Sequence, residues 1–324
     1  METYNVTRPR GINATGAGVW FRRGARLLCG GAVLGMFLLA GCARSEKPVA
    51  ETTKADQHPL TGEILSVDAA RKILVVRHDD IPGFMPAMTM EFIVSAADVA
   101  AAKPGQRIRA QLVQADGEWL LEQIWPVDHT AESTVAAQAN ALRQDTLTRG
   151  KGVYREIGEK IPEFALYDQE GRVVQSARFA GKQIMLNFIF TRCPIATMCP
   201  ASTSKMMLAQ KLAREAGIDH LEMVSITLEP DFDTPAVLKD YAATRGIDTS
   251  NFSFLTGPEN AIKDLLAQFG VIAEFDGDLL KHTLTTLLIN ENGRIAHRAD
   301  GSAWEPAEFV AKMKKPASSA RPTP

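Results

Sequence analysis

An apolar run that leads into a pair of cysteines constrains the fold of this chain more than any other feature. Residues 184–190, Ile-Met-Leu-Asn-Phe-Ile-Phe, are predicted to form a buried strand. Cys193 and Cys199 follow with five residues between them, and Pro200 comes next. Because proline is suited to the first turn of a helix, the sequence predicts a strand, a cysteine loop and a helix in succession.

The position of the two cysteines predicts their chemistry. At a helix N-terminus the helix dipole favours the thiolate, which is the form that attacks disulfides and binds metal ions. A strand, a cysteine loop and a helix are typical of thioredoxin-like proteins, whose cysteines usually have two residues between them. The wider loop leaves three interpretations of the pair: a metal site, a redox-active dithiol or a structural disulfide.

The sequence around this loop alternates predicted strands and helices. Strands are predicted at 184–190, 221–227, 252–255, 283–290 and 293–298, and helices at 200–216, 230–244, 259–269 and 305–314, after a hairpin at 161–174. Such alternation predicts a sheet with helices on both faces. We assign residues 156–315 to this α/β domain and expect residues 316–324, rich in Pro, Ser and Ala, to be disordered.

One histidine is expected to accompany the thiols. His282 precedes the apolar strand 283–290, which should lie near the strand that carries the cysteine loop. His220 and His297 fall on other strands. Two thiolates and an imidazole suit Cu(I) or Cu(II), and they also suit Zn(II).

Four segments give this half of the chain a family resemblance. They are residues 190–200, 224–235, 254–257 and 281–283. Their order resembles the Sco/SenC family of membrane-anchored, thioredoxin-like copper proteins, which assist assembly of the dinuclear copper site of cytochrome c oxidase. The resemblance implies that Cys193, Cys199 and His282 are copper ligands and that Asp233 lies near the site. The family usually places three residues between its cysteines, so the loop here is two residues longer.

The preceding part of the chain alternates in the manner of β-strands. Strands are predicted at 63–67, 72–78, 88–94, 107–113 and 118–124, with a hairpin turn at 115–117. Five short strands so close together predict a small barrel, which we assign to residues 58–127. Residues 128–155 are expected to form a helical linker, whose helix lies on the surface because its apolar residues are sparse.

Sulfur and imidazole donors cluster within this predicted barrel. Alternation places Met88 and Met90 on one face of their strand, Met85 lies just upstream, and His78 ends the preceding strand. Thioethers bind Cu(I) far better than they bind Zn(II), Mg(II) or Ca(II). The alternative is that these methionines fill a core.

The segment 78–92 resembles the metal loop of the CusF family of periplasmic copper-binding proteins. Those proteins are small OB-like barrels that bind Cu(I) through one histidine and two methionines, with a tryptophan stacked over the metal. The resemblance implies that His78, Met88 and Met90 are ligands. Met85 stands where that tryptophan is expected, which makes it an additional ligand or a lid.

The N-terminal segment predicts export and a lipid anchor. Arginines within residues 22–26 precede an apolar run, 27–40, that is short for a membrane span and resembles a secretory signal. The run ends in Leu-Ala-Gly-Cys, which resembles a bacterial lipobox, so residues 1–42 are assigned as a lipoprotein signal with Cys42 lipidated. Residues 43–57 are expected to form a tether. The protein is therefore expected in the cell envelope, held at a membrane and facing the periplasm or another extracytoplasmic space.

Charge and cysteine content narrow the function. A net charge of −2 gives no indication of nucleic-acid binding, and after residue 42 the chain has a single thiol pair and therefore no disulfide framework. We expect a copper metallochaperone that serves the copper-bearing subunit of cytochrome c oxidase or another copper protein. The alternative is a thiol–disulfide oxidoreductase, in which Cys193 and Cys199 reduce the cysteines of a partner. Such enzymes usually have a cis-proline facing the cysteines, and this chain has no proline between Pro258 and Pro306.

Overall fold

Five strands close the first domain into a barrel in the order β1–β2–β3–β5–β4. They are β1 (Gln57–Asp68), β2 (Ile73–His78), β3 (Met88–Ile93), β4 (Arg107–Ala115) and β5 (Glu118–Pro126). The β3–β5 pair is parallel and the other pairs are antiparallel. This arrangement confirms the predicted small β domain. A short helix, α1 (Ala96–Ala101), follows β3 and was not predicted.

The structure, a computed structural model, describes residues 57–276 and 279–313. The predicted signal, the lipidation of Cys42, the tether up to residue 56 and the C-terminal tail lie outside the described residues. Within those residues, none of the helices has the length and apolar character needed to span a membrane. All described residues fall within one compact unit of the chain.

Alternate side chains of the strands fill the barrel. The most deeply buried are Leu60, Ile64, Leu74, Val76, Phe92, Ile108, Leu112 and Leu121. The register of β2 and β3 pairs Leu74 with Phe92, Val76 with Met90, and His78 with Met88. Because directly opposite residues lie on the same face of a sheet, the predicted donor residues share the interior face with this core. They lie at the end of the barrel where β2 ends and β3 begins.

A long helix, α2 (His129–Arg149), leads from the barrel to the second domain. The Asp128 carboxylate caps it by accepting the backbone N–H groups of Thr130 and Ala131 at 2.9 and 3.1 Å. Two further strands and a 3₁₀ turn then precede the central sheet. They are β6 (Ala165–Tyr167), β7 (Val173–Gln175) and the turn Ser176–Phe179.

The second domain is built on a five-stranded sheet. Its remaining elements are β8 (Gln183–Ile189), α3 (Cys199–Glu215), β9 (Leu221–Thr227), α4 (Pro235–Thr244), β10 (Phe252–Leu255), α5 (Glu259–Phe269), β11 (Ala273–Asp276), β12 (Leu279–His282), β13 (Thr285–Ile289), β14 (Ile295–Asp300) and α6 (Pro306–Met313). The sheet order is β10–β9–β8–β13–β14, with β8, β9 and β10 parallel and β13 antiparallel to both neighbours. This is the expected thioredoxin-like α/β architecture.

Helix α2 is more deeply packed than the sequence suggested. Val135, Ala139 and Leu142 lie about one helical turn apart and are buried. Ala139 and Leu142 join the hydrophobic core of the α/β domain, whereas Val135 packs in a smaller cluster with Trp125 and Tyr167. One narrow face of this largely exposed helix is therefore packed against both halves of the chain.

The barrel also contacts the α/β domain directly. Trp125 of β5 packs edge-to-face on Tyr167 of β6, with ring centroids 5.7 Å apart. Gly171, in the turn after β6, has a φ of +75°, and a Cβ there would lie 3.0 Å from Pro126 Cγ. Both the left-handed backbone and the close approach favour glycine at this contact.

Substitution of Leu142 tests the packing of α2. Leu142→Ala is expected to lower the free energy of unfolding by about 2–4 kcal/mol, because it removes a buried side chain and leaves a cavity. Urea unfolding followed by circular dichroism measures this change. Leu147→Ala on the same helix is the matched control, since Leu147 is 58% exposed and its loss should cost about 0.5 kcal/mol or less. Equal effects of the two substitutions would contradict the burial of α2.

Candidate metal centres

The cysteine loop occupies the predicted position between β8 and α3. Cys199 is the first residue of α3, and Pro200 lies in its first turn. Two backbone bonds fold the loop: Cys193 N–H donates to the Phe190 carbonyl at 3.4 Å, and Met198 N–H donates to the Ile195 carbonyl at 3.0 Å. Because of these turns the chain doubles back, so that the five intervening residues do not separate the sulfurs widely.

Cys193, Cys199 and His282 come together at the end of β8. Their ligand atoms all lie within 4.8 Å of one another, and both cysteines are free thiols. His282, the last residue of β12, places Nε2 3.4 Å from Cys199 Sγ. Its Nδ1 lies 3.0 Å from the Thr283 carbonyl, to which it donates in the tautomer that leaves the Nε2 lone pair free. The group has the geometry of an incomplete metal site with two sulfur donors and one nitrogen donor.

Burial controls the protonation of this group. Burial raises the pKa of the Cys199 thiol strongly. The nearby Cys193 and Asp233 raise it further, whereas a backbone hydrogen bond at Phe190 lowers it. Burial thus opposes the thiolate-favouring effect expected at a helix N-terminus and favours the protonated thiol in the metal-free protein. Burial also lowers the pKa of His282, which keeps the imidazole neutral. A bound metal ion would replace the thiol proton.

Asp233 lies behind the cysteine loop. Its carboxylate is fully buried and accepts hydrogen bonds from the backbone N–H and hydroxyl of Thr191, at 3.2 and 2.5 Å, and from the Thr227 hydroxyl at 2.6 Å. Burial raises its pKa to about 6 in spite of these bonds. Through Thr191, Asp233 fixes the start of the loop that carries both cysteines.

Substitution of Asp233 should change the pH dependence of stability. The pKa of Asp233 is about 6 in the folded protein, against a usual value of 3.8. Stability is therefore greatest below pH 3.8 and falls as the pH rises to about 6. The fall is on the order of 3 kcal/mol. The side chain in the Asp233→Asn variant cannot ionise, so this fall in stability should be absent. Urea unfolding between pH 4 and pH 7 measures the difference, with the exposed Asp240→Asn as control. A fall of the same size in Asp233→Asn and wild type would contradict this assignment.

A second group of donors lies at the end of the barrel. His78 is 1% exposed, its Nδ1 lies 2.8 Å from the Asp79 carbonyl, and its Nε2 is buried without a hydrogen-bond partner. An unpaired buried acceptor costs about 1–3 kcal/mol, which a bound metal ion would offset. Met90 is partly buried against the barrel core, whereas Met88, opposite His78, is 45% exposed.

Both histidines are oriented in the same way. In His78 and in His282, Nδ1 faces the carbonyl oxygen of the next residue and Nε2 is left for another partner. A backbone acceptor of this kind commonly orients metal-bound histidines. Gly62 lies opposite His78, and a Cβ there would come within 2.9 Å of His78 Cα. The close approach of β1 thus depends on glycine at the level of His78.

The loop between β2 and β3 covers this end of the barrel. Ile81 and Met85 exchange two backbone hydrogen bonds, and Met85 packs against the barrel core. Phe84 stacks on His58 and meets the edge of Trp119. No role was predicted for His58 from the sequence. Its alternation with Leu60, Gly62 and Ile64 places it on the interior face of β1, where it is half-buried.

Comparison with known proteins identifies both halves of the chain. Residues 154–318, just over half of it, match the family model described as SCO1/SenC. The chain belongs to the SCO1/SenC family. Residues 57–126 match the family model described as copper binding periplasmic protein CusF. This member of the SCO1/SenC family thus carries a CusF-like barrel before its thioredoxin-like domain, as the two resemblances implied.

Several relatives are similar to this SCO1/SenC protein over about half of its length. An SCO2-like protein of Rickettsia conorii is 32% identical over 190 residues, which cover 56% of this chain and 84% of the relative. The SCO1 protein homolog of Bacillus subtilis is 27% identical over 176 residues, covering 52% and 88%. The crystal structure of a SCO1/SenC family lipoprotein from Bacillus anthracis has 26% identity and a TM-score of 0.45, covering 50% of this chain and 97% of that one.

Proposed function

We propose that this SCO1/SenC protein is a copper metallochaperone of the cell envelope, anchored to a membrane through a lipid on Cys42. It binds copper at Cys193, Cys199 and His282 and delivers it to the copper-bearing subunit of cytochrome c oxidase. The observation that carries the proposal is the convergence of these three ligand atoms within 4.8 Å. These atoms come from three different parts of the fold, a loop, a helix N-terminus and a strand end.

Donor chemistry favours copper as the cargo. Two sulfurs and one imidazole nitrogen would bind either Zn(II) or Cu(I). The barrel adds thioether sulfurs beside His78, and thioethers favour Cu(I) over Zn(II). The family model that the barrel matches is itself described as copper binding. Two soft-donor groups in one chain therefore support copper more strongly than either group does alone.

Delivery requires that a partner reach the metal. Cys193 is only partly buried, whereas Cys199 is enclosed. A site with three protein ligands leaves a position at which a partner's thiolate can begin to exchange. Ile195 and Phe232, beside the cysteine loop, are 40% and 41% exposed and offer apolar surface for docking. The open side at Cys193 is thus the exit that we assign to copper.

A thiol–disulfide oxidoreductase is the second candidate, because the two free sulfurs lie within 4.8 Å of each other, and a small shift of the loop would let them form a disulfide. In that reaction Cys193 would attack a partner disulfide, Cys199 would resolve the mixed disulfide, and the partner would gain two electrons and two protons. The raised pKa of Cys199 and the position of His282 beside it fit a metal site better.

A transfer experiment separates the two functions. Cu(I)-loaded protein is mixed with the metal-free, reduced soluble domain of the oxidase subunit, and in parallel with its disulfide form. Metallochaperone activity predicts that copper moves to the reduced domain. His282→Ala should lose that transfer while its two thiols still reduce the disulfide form. Reduction of the disulfide form without copper transfer by the wild-type protein would favour the oxidoreductase.

A further inference from the structure

We infer that the ion pair between Arg192 and Glu229 positions Cys193 for copper and opposes formation of a disulfide with Cys199. Arg192 and Glu229 are positioning residues, since they act through the cysteine loop and not as ligands. The inference deepens the proposed function, because it rests on copper binding at Cys193, Cys199 and His282. It identifies the contact that decides between the two uses of the thiol pair.

Arg192 is fastened to the turn between β9 and α4. Its Nε donates to one oxygen of the Glu229 carboxylate at 2.8 Å, and its Nη2 donates to the other oxygen. These two bonds form a bidentate pair, which fixes the guanidinium in direction as well as in distance. The guanidinium carbon also lies over the ring of Phe232, 4.4 Å from the ring centroid. Arg192 is therefore held by two contacts of different kinds, both to the same turn.

Glu229 is a firm anchor for this pair. Its side chain is only 5% exposed. Its backbone N–H donates to the Thr227 hydroxyl at 2.9 Å, and its carbonyl accepts the N–H groups of Phe232 and Asp233 at 3.1 and 2.9 Å. The same Thr227 hydroxyl donates to the Asp233 carboxylate at 2.6 Å. Because a buried carboxylate needs a partner, the guanidinium of Arg192 and this rigid turn hold each other in place.

Both residues that precede Cys193 are thus tied to the turn between β9 and α4. Thr191 donates to the Asp233 carboxylate, and Arg192 donates to the Glu229 carboxylate. The other cysteine of the pair is the first residue of α3 and belongs to that helix. The separation of the two sulfurs therefore depends on the position of the anchored segment that leads into the loop.

A fixed separation of the sulfurs favours copper over the disulfide. The two free sulfurs and the imidazole nitrogen lie within 4.8 Å of one another, an arrangement that one metal ion can bridge. A disulfide requires the sulfurs to approach to about 2.05 Å, and the anchored segment resists that movement. Copper and the disulfide compete for the same sulfurs. Release of the anchor should therefore weaken copper binding and stabilise the disulfide.

The double substitution Arg192→Met/Glu229→Gln provides the test. It removes both charges together, so no buried charge is left unpaired and the net charge of the chain is unchanged. The methionine can still pack on Phe232, which isolates the loss of the ion pair. The matched control is Arg214→Met/Asp248→Asn, which removes another ion pair at the last turn of α3, with Nη2 and Oδ2 2.5 Å apart.

The measurements use the chain that follows Cys42 with Met88→Leu/Met90→Leu, so that copper reports on the thiol site. Cu(I) affinity is measured against a chromogenic chelator, and the reduction potential of the thiol pair in glutathione buffers. There the two thiols lose two electrons and two protons, which glutathione disulfide takes up as it becomes two glutathione molecules. We expect the test variant to bind Cu(I) about tenfold more weakly. Its disulfide should be about tenfold more stable, which corresponds to a potential about 30 mV lower.

The outcomes distinguish the inference from the function on which it rests. The control variant should keep both the affinity and the potential of its parent. If the test variant also kept both, or changed only one of them, the ion pair would not govern the competition between copper and the disulfide, and the inference would be overturned. Absence of tight Cu(I) binding in the parent would instead overturn the copper site of the α/β domain, and the role of Arg192 and Glu229 with it.

Discussion

Replacing Cys193 and Cys199 by serine is expected to abolish tight Cu(I) binding by the α/β domain and to leave one copper per chain. Metal sites that hold thiolates reach binding free energies of about 10 kcal/mol or more. Loss of half of that energy weakens binding about 10⁴-fold. Competition with a chelator of known Cu(I) affinity, under anaerobic conditions, measures the change. Since Ser retains the size of Cys, the fold should be preserved, as circular dichroism would show.

The same site should release protons when it binds copper. Burial keeps the Cys199 thiol protonated in the metal-free protein, so coordination must displace that proton. Cu(I) affinity of the α/β domain is therefore expected to rise with pH around neutrality. The matched variant Met88→Leu/Met90→Leu keeps both cysteines and should retain this pH dependence. If the serine variant bound as many copper ions as wild type with the same pH dependence, the Cys193–Cys199–His282 site would be wrong.

Replacing His78 by leucine is expected to weaken copper binding by the barrel about 100-fold, in line with the loss of about 3 kcal/mol of coordination energy. The variant also removes the buried unpaired Nε2, so the metal-free protein should be at least as stable as wild type. Opposite changes in stability and copper affinity distinguish a ligand from a structural residue. Thermal unfolding with and without Cu(I), in the Cys193→Ser/Cys199→Ser protein, measures both.

The control for His78→Leu is a histidine with no role in the barrel. His129→Leu, at the exposed start of α2, should change neither stability nor copper affinity. If His78→Leu lowered the stability of the metal-free protein and left the affinity intact, His78 would be a core residue and the methionines would lack their imidazole partner.

Much of the architecture could be predicted because local patterns agree with the tertiary structure. Every residue of β8 and β9 is buried, because both faces of a central strand are covered, and their sequences are mostly apolar, whereas the barrel strands alternate because only one face is buried. The cysteine loop followed from its position between such a run and a proline. Coordination of copper by the residues that these patterns selected stays a prediction.

The features that sequence reasoning missed depend on contacts between distant segments. The hairpin of β11 and β12 that carries His282 consists of two four-residue strands, which are too short to show a period. Helix α2 buries only a narrow stripe, and its packing on α5 and on Trp125 and Tyr167 joins segments that are distant in sequence. The raised pKa of Cys199 also arises chiefly from tertiary burial, which the local sequence does not show.

Helix α4 connects the barrel to the cysteine site of the α/β domain. Helix α1 of the barrel lies near α4, and both line a small cavity with the turn at 169–171. Helix α4 begins at Pro235, two residues after Asp233, which in turn holds Thr191 at the start of the cysteine loop. The barrel therefore packs on α4, the helix that follows Asp233, whose carboxylate lies behind the cysteine loop.

The central claim is that one chain holds two separate copper sites, and counting copper tests it most directly. The reduced chain that follows Cys42 is loaded with Cu(I) anaerobically, desalted in the presence of a weak competing chelator, and analysed for copper per protein. We expect two copper ions in the wild type, one in Cys193→Ser/Cys199→Ser, one in Met88→Leu/Met90→Leu and none in the combined variant. A single copper in the wild type, lost in either double variant, would contradict two independent sites and indicate one site shared between the domains.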